Sequence, residues 1–404
     1  MQNNKVEIRC PHFGICGGCA FQNVPYKEQL KNKEMYLKNL FADYIPSAIP
    51  IEPSSEIWHY RNKIDPVFSR EHFEAPPPAE IKRRTVIGFK RFRRWYDTFP
   101  MEDCLIGPCS VPDLLKAIQQ WREENRYEAY DRRTKEGILH ALLIRQSRRT
   151  SERMVGIVTR ELNLNWESLI EQLNKNVPCQ SIYGGLYTRT AEVSQAQEWH
   201  LIHGQEVIHE RIVLNHENTD MTFTFRISPA SFFQANTLSA EKMFLRIYQW
   251  TREITPEYIF DLYGGMGTIG IILSHLASKV FSVDCVPSSI EDGKINAELN
   301  NVVNVEFYLQ KVRRFLSEQS PKFYKSSSST LVIVDPPREG LTLGVIKKLT
   351  QWRPKDIIYV SCNPKALIRE LPYLLEYYQY KDGNAYDFFP HTPHFETLLW
   401  LSRK

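Results

Sequence analysis

Two textures divide the pattern of apolar and polar positions along the chain. Over the first two hundred residues, short segments such as RTVIGF (84–89) and GILHALLIRQ (137–146) predict strands, interrupted by loop signals such as EAPPPAE (74–80). One early helix is predicted over PYKEQLKNKEMYLKNL, where Pro25 opens the first turn and Leu30, Met35, Leu37 and Leu40 supply an apolar stripe. After about Pro229, helical and apolar-strand patterns alternate: ANTLSAEKMFLRIYQWTRE, YIFDLYGG, TIGIILSHLAS, KVFSVD, SSIEDGKINAELNN, TLVIVDPP, LGVIKKLTQW, DIIYVSC. Alternation of this kind predicts an α/β fold with a doubly wound, mainly parallel sheet. The polar tract KSSSST before Leu331 predicts a surface turn, and no internal repeat is visible.

Composition narrows the class. At 404 residues, 42% hydrophobic and 24% charged, the chain has the length for two or three domains and the make-up of an ordinary globular protein. The N-terminus lacks the apolar core of a secretory signal, and no apolar run approaches the roughly 18 to 20 residues that span a bilayer, so a cytoplasmic protein without membrane contact is expected. A net charge of +4 is too small by itself to argue for nucleic acid. Its distribution says more. IKRRTVIGFKRFRR (81–94) holds seven lysines and arginines and no acid, interleaved with Phe89 and Phe92 and followed by Trp95 and Tyr96. RQSRRTSER (145–153) reads as a basic hairpin tip. Both suit phosphate contact with base stacking, although a solvated sheet with basic edges fits each cluster equally well.

Chemistry concentrates at predicted strand ends. DLYGGMGTIG (261–270) follows a strand and opens a helix, and Gly265, Gly267 and Gly270 satisfy G-x-G-x-x-G. Asp284 ends the next strand, where a carboxylate can accept both ribose hydroxyls of an adenosine-containing cofactor. The glycines do not separate a dinucleotide from S-adenosylmethionine. LVIVDPPREG places Asp335 on a proline-stiffened lip, which suits a flat polar substrate better than a nicotinamide. VSCNPKALIRE sets Cys362 at the mouth of a further strand, where a thiol is aimed at whatever binds there.

SFFQAN (231–236), DLYGGMGTIG, VIVDPPREG, YVSCNPKAL and FFPHTPHFETLLWL (388–401) occur in order and resemble the RNA uracil-C5 methyltransferases, which make 5-methyluridine. The resemblance implies a Rossmann-like, S-adenosylmethionine-dependent domain with Gln234, Tyr263, Asp284 and Asp335 lining the cofactor and uracil sites, Cys362 as nucleophile and Glu396 as base. The chemistry needs such a pair. Uracil C5 is a poor nucleophile until a thiolate adds at C6, and the C5 hydrogen must leave before the thiol can be eliminated. His391 and His394 flank Glu396 and fit either a positioning role or a plain turn. The target uridine is expected to be flipped out of a loop or single strand.

The remaining cysteines raise a separate expectation. Cys10, Cys16 and Cys19 are spaced C-x5-C-x2-C, with Cys104 and Cys109 downstream, and spacing alone leaves an iron–sulfur cluster, zinc and a redox pair open. The resemblance implies a [4Fe–4S] cluster on Cys10, Cys16, Cys19 and a fourth ligand, taken as Cys104 with Cys109 in reserve. Cys179 and Cys285 read as ordinary thiols. Thr268, Lys311 and Ala366 depart from the family pattern, and Lys311 falls where an acid or amide would meet adenine. With no small β-barrel domain ahead of Cys10, the resemblance is to the shorter enzymes of 23S ribosomal RNA. The expected organisation is a cluster-bearing region at 1–110, an α+β RNA-binding region at 111–230 that forms one unit with it, and a catalytic domain at 231–404. The expected enzyme is a monomer acting on 23S rRNA. Transfer RNA is the nearest alternative substrate, then an inactive RNA-binding iron–sulfur protein, and last a dinucleotide oxidoreductase.

Overall fold

A computed structural model of the chain describes residues 7–75, 83–189, 196–323 and 329–404. The triple proline 76–78, Ile81 and Lys82 of the first basic stretch, and most of the serine tract lie outside the described residues. The chain forms two compact units that do not follow its linear order: one contains 1–25, 56–210 and 227–230, the other 26–55, 211–226 and 231–404. Among the described residues, no helix is long and apolar enough to cross a membrane.

The first unit is built on a sheet ordered 94–100, 85–91, 67–70, 139–146, 153–159, 181–186, 198–204, with 63–64 also pairing 139–146. Helices Val111–Glu124 and Trp166–Asn176 bury Leu114, Ile118, Trp121, Leu169 and Leu173 in a core with Leu142, Ile144, Val155 and Ile157 of the sheet. Both basic stretches fall on hairpins, one joining 85–91 to 94–100 and the other 139–146 to 153–159.

The second unit carries the expected doubly wound sheet. Its strands are ordered 51–52, 378–386, 396–403, 356–361, 330–334, 258–262, 279–284, 305–309. The strands that alternate with helices pair in parallel, and 396–403 inserts antiparallel between 378–386 and 356–361. Phe260, Val332, Ile357, Tyr359 and Leu399 are fully buried, which explains why these strands read as continuous apolar runs rather than alternating ones.

Helix Tyr26–Phe41 belongs to this second unit; of the expected stripe, Leu37 is in the core and Leu30 and Leu40 pack against it, while Met35 turns away and two polar residues are buried as well. Gln29, Lys33, Leu37 and Phe41 are buried at four-residue spacing, while Met35 is half exposed. The two polar members are buried because the loop preceding the last strand gives them partners. Lys33 Nζ pairs with Asp387 at 2.7 Å and donates to the His394 carbonyl at 3.0 Å. The Gln29 side-chain carbonyl accepts from the His391 amide at 2.9 Å.

Candidate active site

Sheet register gathers the expected residues along one edge. Leu262 pairs with both Val283 and Val334, so Tyr263 emerges between Asp284 and Asp335. Ser361 pairs antiparallel with Thr397, which sets Cys362, one residue beyond, across from Glu396 at the same end of adjacent strands. Directly opposed residues on antiparallel strands stand about 4.5–5.5 Å apart at Cα, so this register brings thiol and carboxylate within reach of one pyrimidine ring.

The glycine loop is fixed from beneath. Tyr263, Gly265 and Gly267 all have φ between +55 and +73°, an expensive conformation for the tyrosine. A Cβ on Gly267 would lie 2.6 Å from the Phe307 ring, so no larger residue fits. One Asp284 carboxylate oxygen accepts the Gly265 amide at 3.1 Å and the other accepts the Val286 amide at 2.9 Å. Gln234, Tyr263, Gly265, Thr268 and Asp335 line one small cavity together with Asp261 and the exposed Phe232. Lys311 lies just past the neighbouring strand, where it precedes helix Val312–Gln319, and it is exposed.

The proline-stiffened lip is braced by a residue outside the motif. Glu370 accepts the Leu341 amide at 2.8 Å and the Tyr359 hydroxyl at 2.6 Å. It passes so close to Gly340, whose φ is +82°, that a Cβ there would sit 1.9 Å from the carboxylate. Asn363 caps helix Pro364–Leu375 through the Lys365 amide and donates to the Arg338 carbonyl at 2.9 Å, tying the cysteine turn to the lip. The Asn-Pro turn after Cys362 is thus both a helix start and a brace.

Electrostatics couple the site. Burial, then the charges of Glu396 and Asp335, push the Cys362 thiol up to about 11, with Arg338 pulling the other way. Burial and Asp335 hold Glu396 well above the usual carboxylate range, again opposed by Arg338. Asp335 rises to about 7 through desolvation and the nearby Asp261, although its outer side remains half-exposed by area. Asp261 is completely buried and rises to about 6. One of its oxygens accepts from the Gly270 amide and Ser282, and the other has no partner. Sequence reasoning missed Arg338, Asp261 and Glu370. Only Arg338 carried a readable signal, a cation three residues beyond Asp335 in a rigid turn.

The cysteines of the first unit separate into two cavities. Cys10, Cys16, Cys19 and Cys104 line one of about 650 Å³, whereas the exposed Cys109 lines another. Desolvation, with smaller contributions from neighbouring thiols, raises Cys19 to about 11 and Cys104 to about 12, and raises Cys16 as well. The Gly18 amide donates to Cys16 Sγ at 3.3 Å. Among the described residues, no group of three or more His, Cys, Asp or Glu forms a site that could hold a metal ion.

Comparison with known proteins follows these features. A family model described as tRNA (uracil-5-)-methyltransferase matches residues 147–404. An uncharacterized RNA methyltransferase of Caldanaerobacter subterraneus subsp. tengcongensis is 31% identical, with 99% of this chain and 85% of that protein aligned. One from Clostridium tetani is 30% identical over 99% and 85%. The solved tRNA (uracil-54, C5)-methyltransferase of Pyrococcus abyssi, in complex with S-adenosyl-L-homocysteine, superposes with a TM-score of 0.74 at 28% identity, covering 96% of this chain and 86% of that one. With a matching family model over more than half its length and relatives along nearly all of it, the chain belongs to the RNA uracil-C5 methyltransferases described as the tRNA (uracil-5-)-methyltransferase family.

Proposed function

We propose that the protein methylates C5 of a specific uridine in 23S ribosomal RNA, with S-adenosylmethionine as methyl donor and Cys362 as a transient covalent anchor. The observation that carries the reaction is the register that sets Cys362 across from Glu396 on the sheet edge shared with the glycine loop. Asp284, fixed by two backbone amides, is the candidate to hold a ribose, and Gln234, Tyr263 and Asp335 line the cavity beside the glycine loop. When bound there, S-adenosylmethionine supplies an electrophilic methyl group. Cys362 Sγ, once deprotonated, would bond uracil C6 and move the C5–C6 electron pair to C5, where the methyl is taken up as its bond to the sulfonium sulfur breaks and S-adenosylhomocysteine leaves. Glu396 then takes the C5 proton, the double bond re-forms, and the sulfur–C6 bond breaks. The lip holding Asp335 is rigid enough to hold the flat ring during both steps.

The first unit supplies RNA contacts through its two basic hairpins. The four thiols around one cavity are the candidate ligands of the [4Fe–4S] cluster that the family resemblance implies, with zinc as the alternative metal. Cys104 shares the cavity with the N-terminal three, which favours it over Cys109 as fourth ligand. Such a cluster would hold the segment Cys10–Cys19 against the 104 turn. A brown, visibly absorbing protein from anaerobic preparation, bleached in Cys16→Ser, is the expected result, and stoichiometric zinc would refute it.

Transfer RNA is the second reading, favoured by the solved Pyrococcus abyssi relative. Incubating the protein with labelled S-adenosylmethionine and either 23S or transfer RNA, then mapping the labelled nucleotide, separates the two. Label on transfer RNA alone overturns the ribosomal assignment. RNA containing 5-fluorouridine should be trapped covalently by the wild-type protein and not by Cys362→Ala.

A further inference from the structure

A second cavity of about 460 Å³ lies wholly within the first unit and shares Arg61 with the cysteine cavity. One wall is the segment Trp58–Asn62, the other the basic tip Gln146–Ser151, with Cys109 at the rim. Both walls are fixed in place. The amides of His59 and Arg61 donate to the Leu105 and Ile106 carbonyls at 2.7 and 2.9 Å, and a His59 ring nitrogen lies 3.0 Å from the Gly107 carbonyl. At the tip, the fully buried Glu210 carboxylate accepts from the amides of Arg148 and Arg149 and from the Ser147 hydroxyl. Collecting these donors folds the turn rigidly, and the Arg148 side chain, exposed at the turn, pairs with Glu56, which also lines the cavity.

The lining combines groups that a nucleotide can use. Trp58 is half-buried with the Arg9 guanidinium 5.8 Å from its ring centroid, Asn62 and Gln146 bring amide groups, and Arg61 and Arg148 bring positive charge that Glu56 offsets in part. The volume lies in the range of small-ligand pockets. Aromatic faces beside arginines bind single-stranded RNA by stacking a base and pairing its phosphate. We propose that this cavity captures a second, unstacked nucleotide of the RNA substrate, holding the strand while the target uridine occupies the catalytic unit. The proposal rests on the RNA methyltransferase reading, and it assigns to the first unit a base-binding pocket rather than only a charged surface.

Cys109 provides the reporter. Full-length Cys362→Ala protein, which cannot form the covalent adduct, is treated with a maleimide with and without a single-stranded uridine-containing RNA of about ten nucleotides, and modification is mapped by peptide mass spectrometry. RNA is expected to protect Cys109. Adding Trp58→Ala or Arg148→Ala should abolish the protection and weaken RNA binding about tenfold, whereas Trp58→Phe should retain both. Arg148 is exposed at a turn, so its variant tests the idea without disturbing the core. Unprotected Cys109 with RNA bound, or protection unchanged in both variants, overturns the pocket. Equal protection by uridine 5′-monophosphate at the same concentration assigns a free nucleotide instead and overturns the strand-holding role. Methylation by wild-type protein with Cys109 unprotected refutes the pocket alone. Protection without methylation refutes the reaction alone, and the loss of both refutes both.

Discussion

Cys362 sits in surroundings that oppose its ionisation. With its thiol raised to about 11 by burial and by two neighbouring carboxylates, the reactive thiolate is a small fraction at neutral pH and grows as pH rises toward that value. Capture of 5-fluorouridine RNA should therefore accelerate steeply between pH 6 and 8, and a flat or falling profile in rapid-quench measurements would contradict this. Arg338 is the cation that lowers both Cys362 and Glu396, so Arg338→Ala should slow capture about tenfold at pH 7.5, with recovery at higher pH. Asp261 presents the opposite sign of problem. Its folded-state value of about 6 exceeds the ordinary 3.8, so the stability it contributes at low pH is lost as pH climbs through about 6. The non-titrating Asp261→Asn should melt a few degrees above the wild-type protein at pH 8 and lose that advantage at pH 4.5, as read by calorimetry. Asp261 lines the cavity of the glycine loop and one of its buried oxygens has no partner, which is consistent with stability being given up at a functional position.

Among elements, helix Tyr26–Phe41 and the loop 387–394 act as one piece. Lys33 and Asp387 form a pair that is 4% and 0% exposed, beside the hydrogen bond that the His391 amide donates to the Gln29 side-chain carbonyl. Breaking it from one side strands a buried charge, so Lys33→Met should cost about 3 kcal/mol in urea unfolding, and the double variant with Asp387→Asn should recover most of that. Two independent single losses that simply add would refute the pairing. This helix also marks the boundary of what periodicity reveals. Its existence and its leucine stripe were legible, but the burial of Gln29 and Lys33 was not, because their partners lie more than 350 positions away. The parallel strands were legible for the converse reason. They are enclosed on both faces, so their apolar runs need no knowledge of distant partners. Cys362 and Glu396 were named as candidates through their motifs, while Glu370 was hidden because its bracing depends on the close approach of Gly340.

For the whole molecule, the catalytic unit is assembled from separate stretches of chain. Strand Ile51–Glu52 forms the edge of its sheet beside Tyr386, so removing residues 1–55 takes away an edge strand and the helix clamping the final loop. Such a truncation should not yield an active, cooperatively unfolding catalytic unit, even though it spares every residue assigned to the reaction. Recovery of full adduct formation would contradict that dependence. The expected division at 110 and 230 is a reading of chain order, and the described packing places 26–55 with the later residues instead. Synthesis from the N-terminus therefore leaves Lys33 without Asp387 until 354 further positions have been made. A nascent chain released before that point carries an unmatched charged helix and an orphan strand, so this element is complete only after the far side of its pairing has emerged.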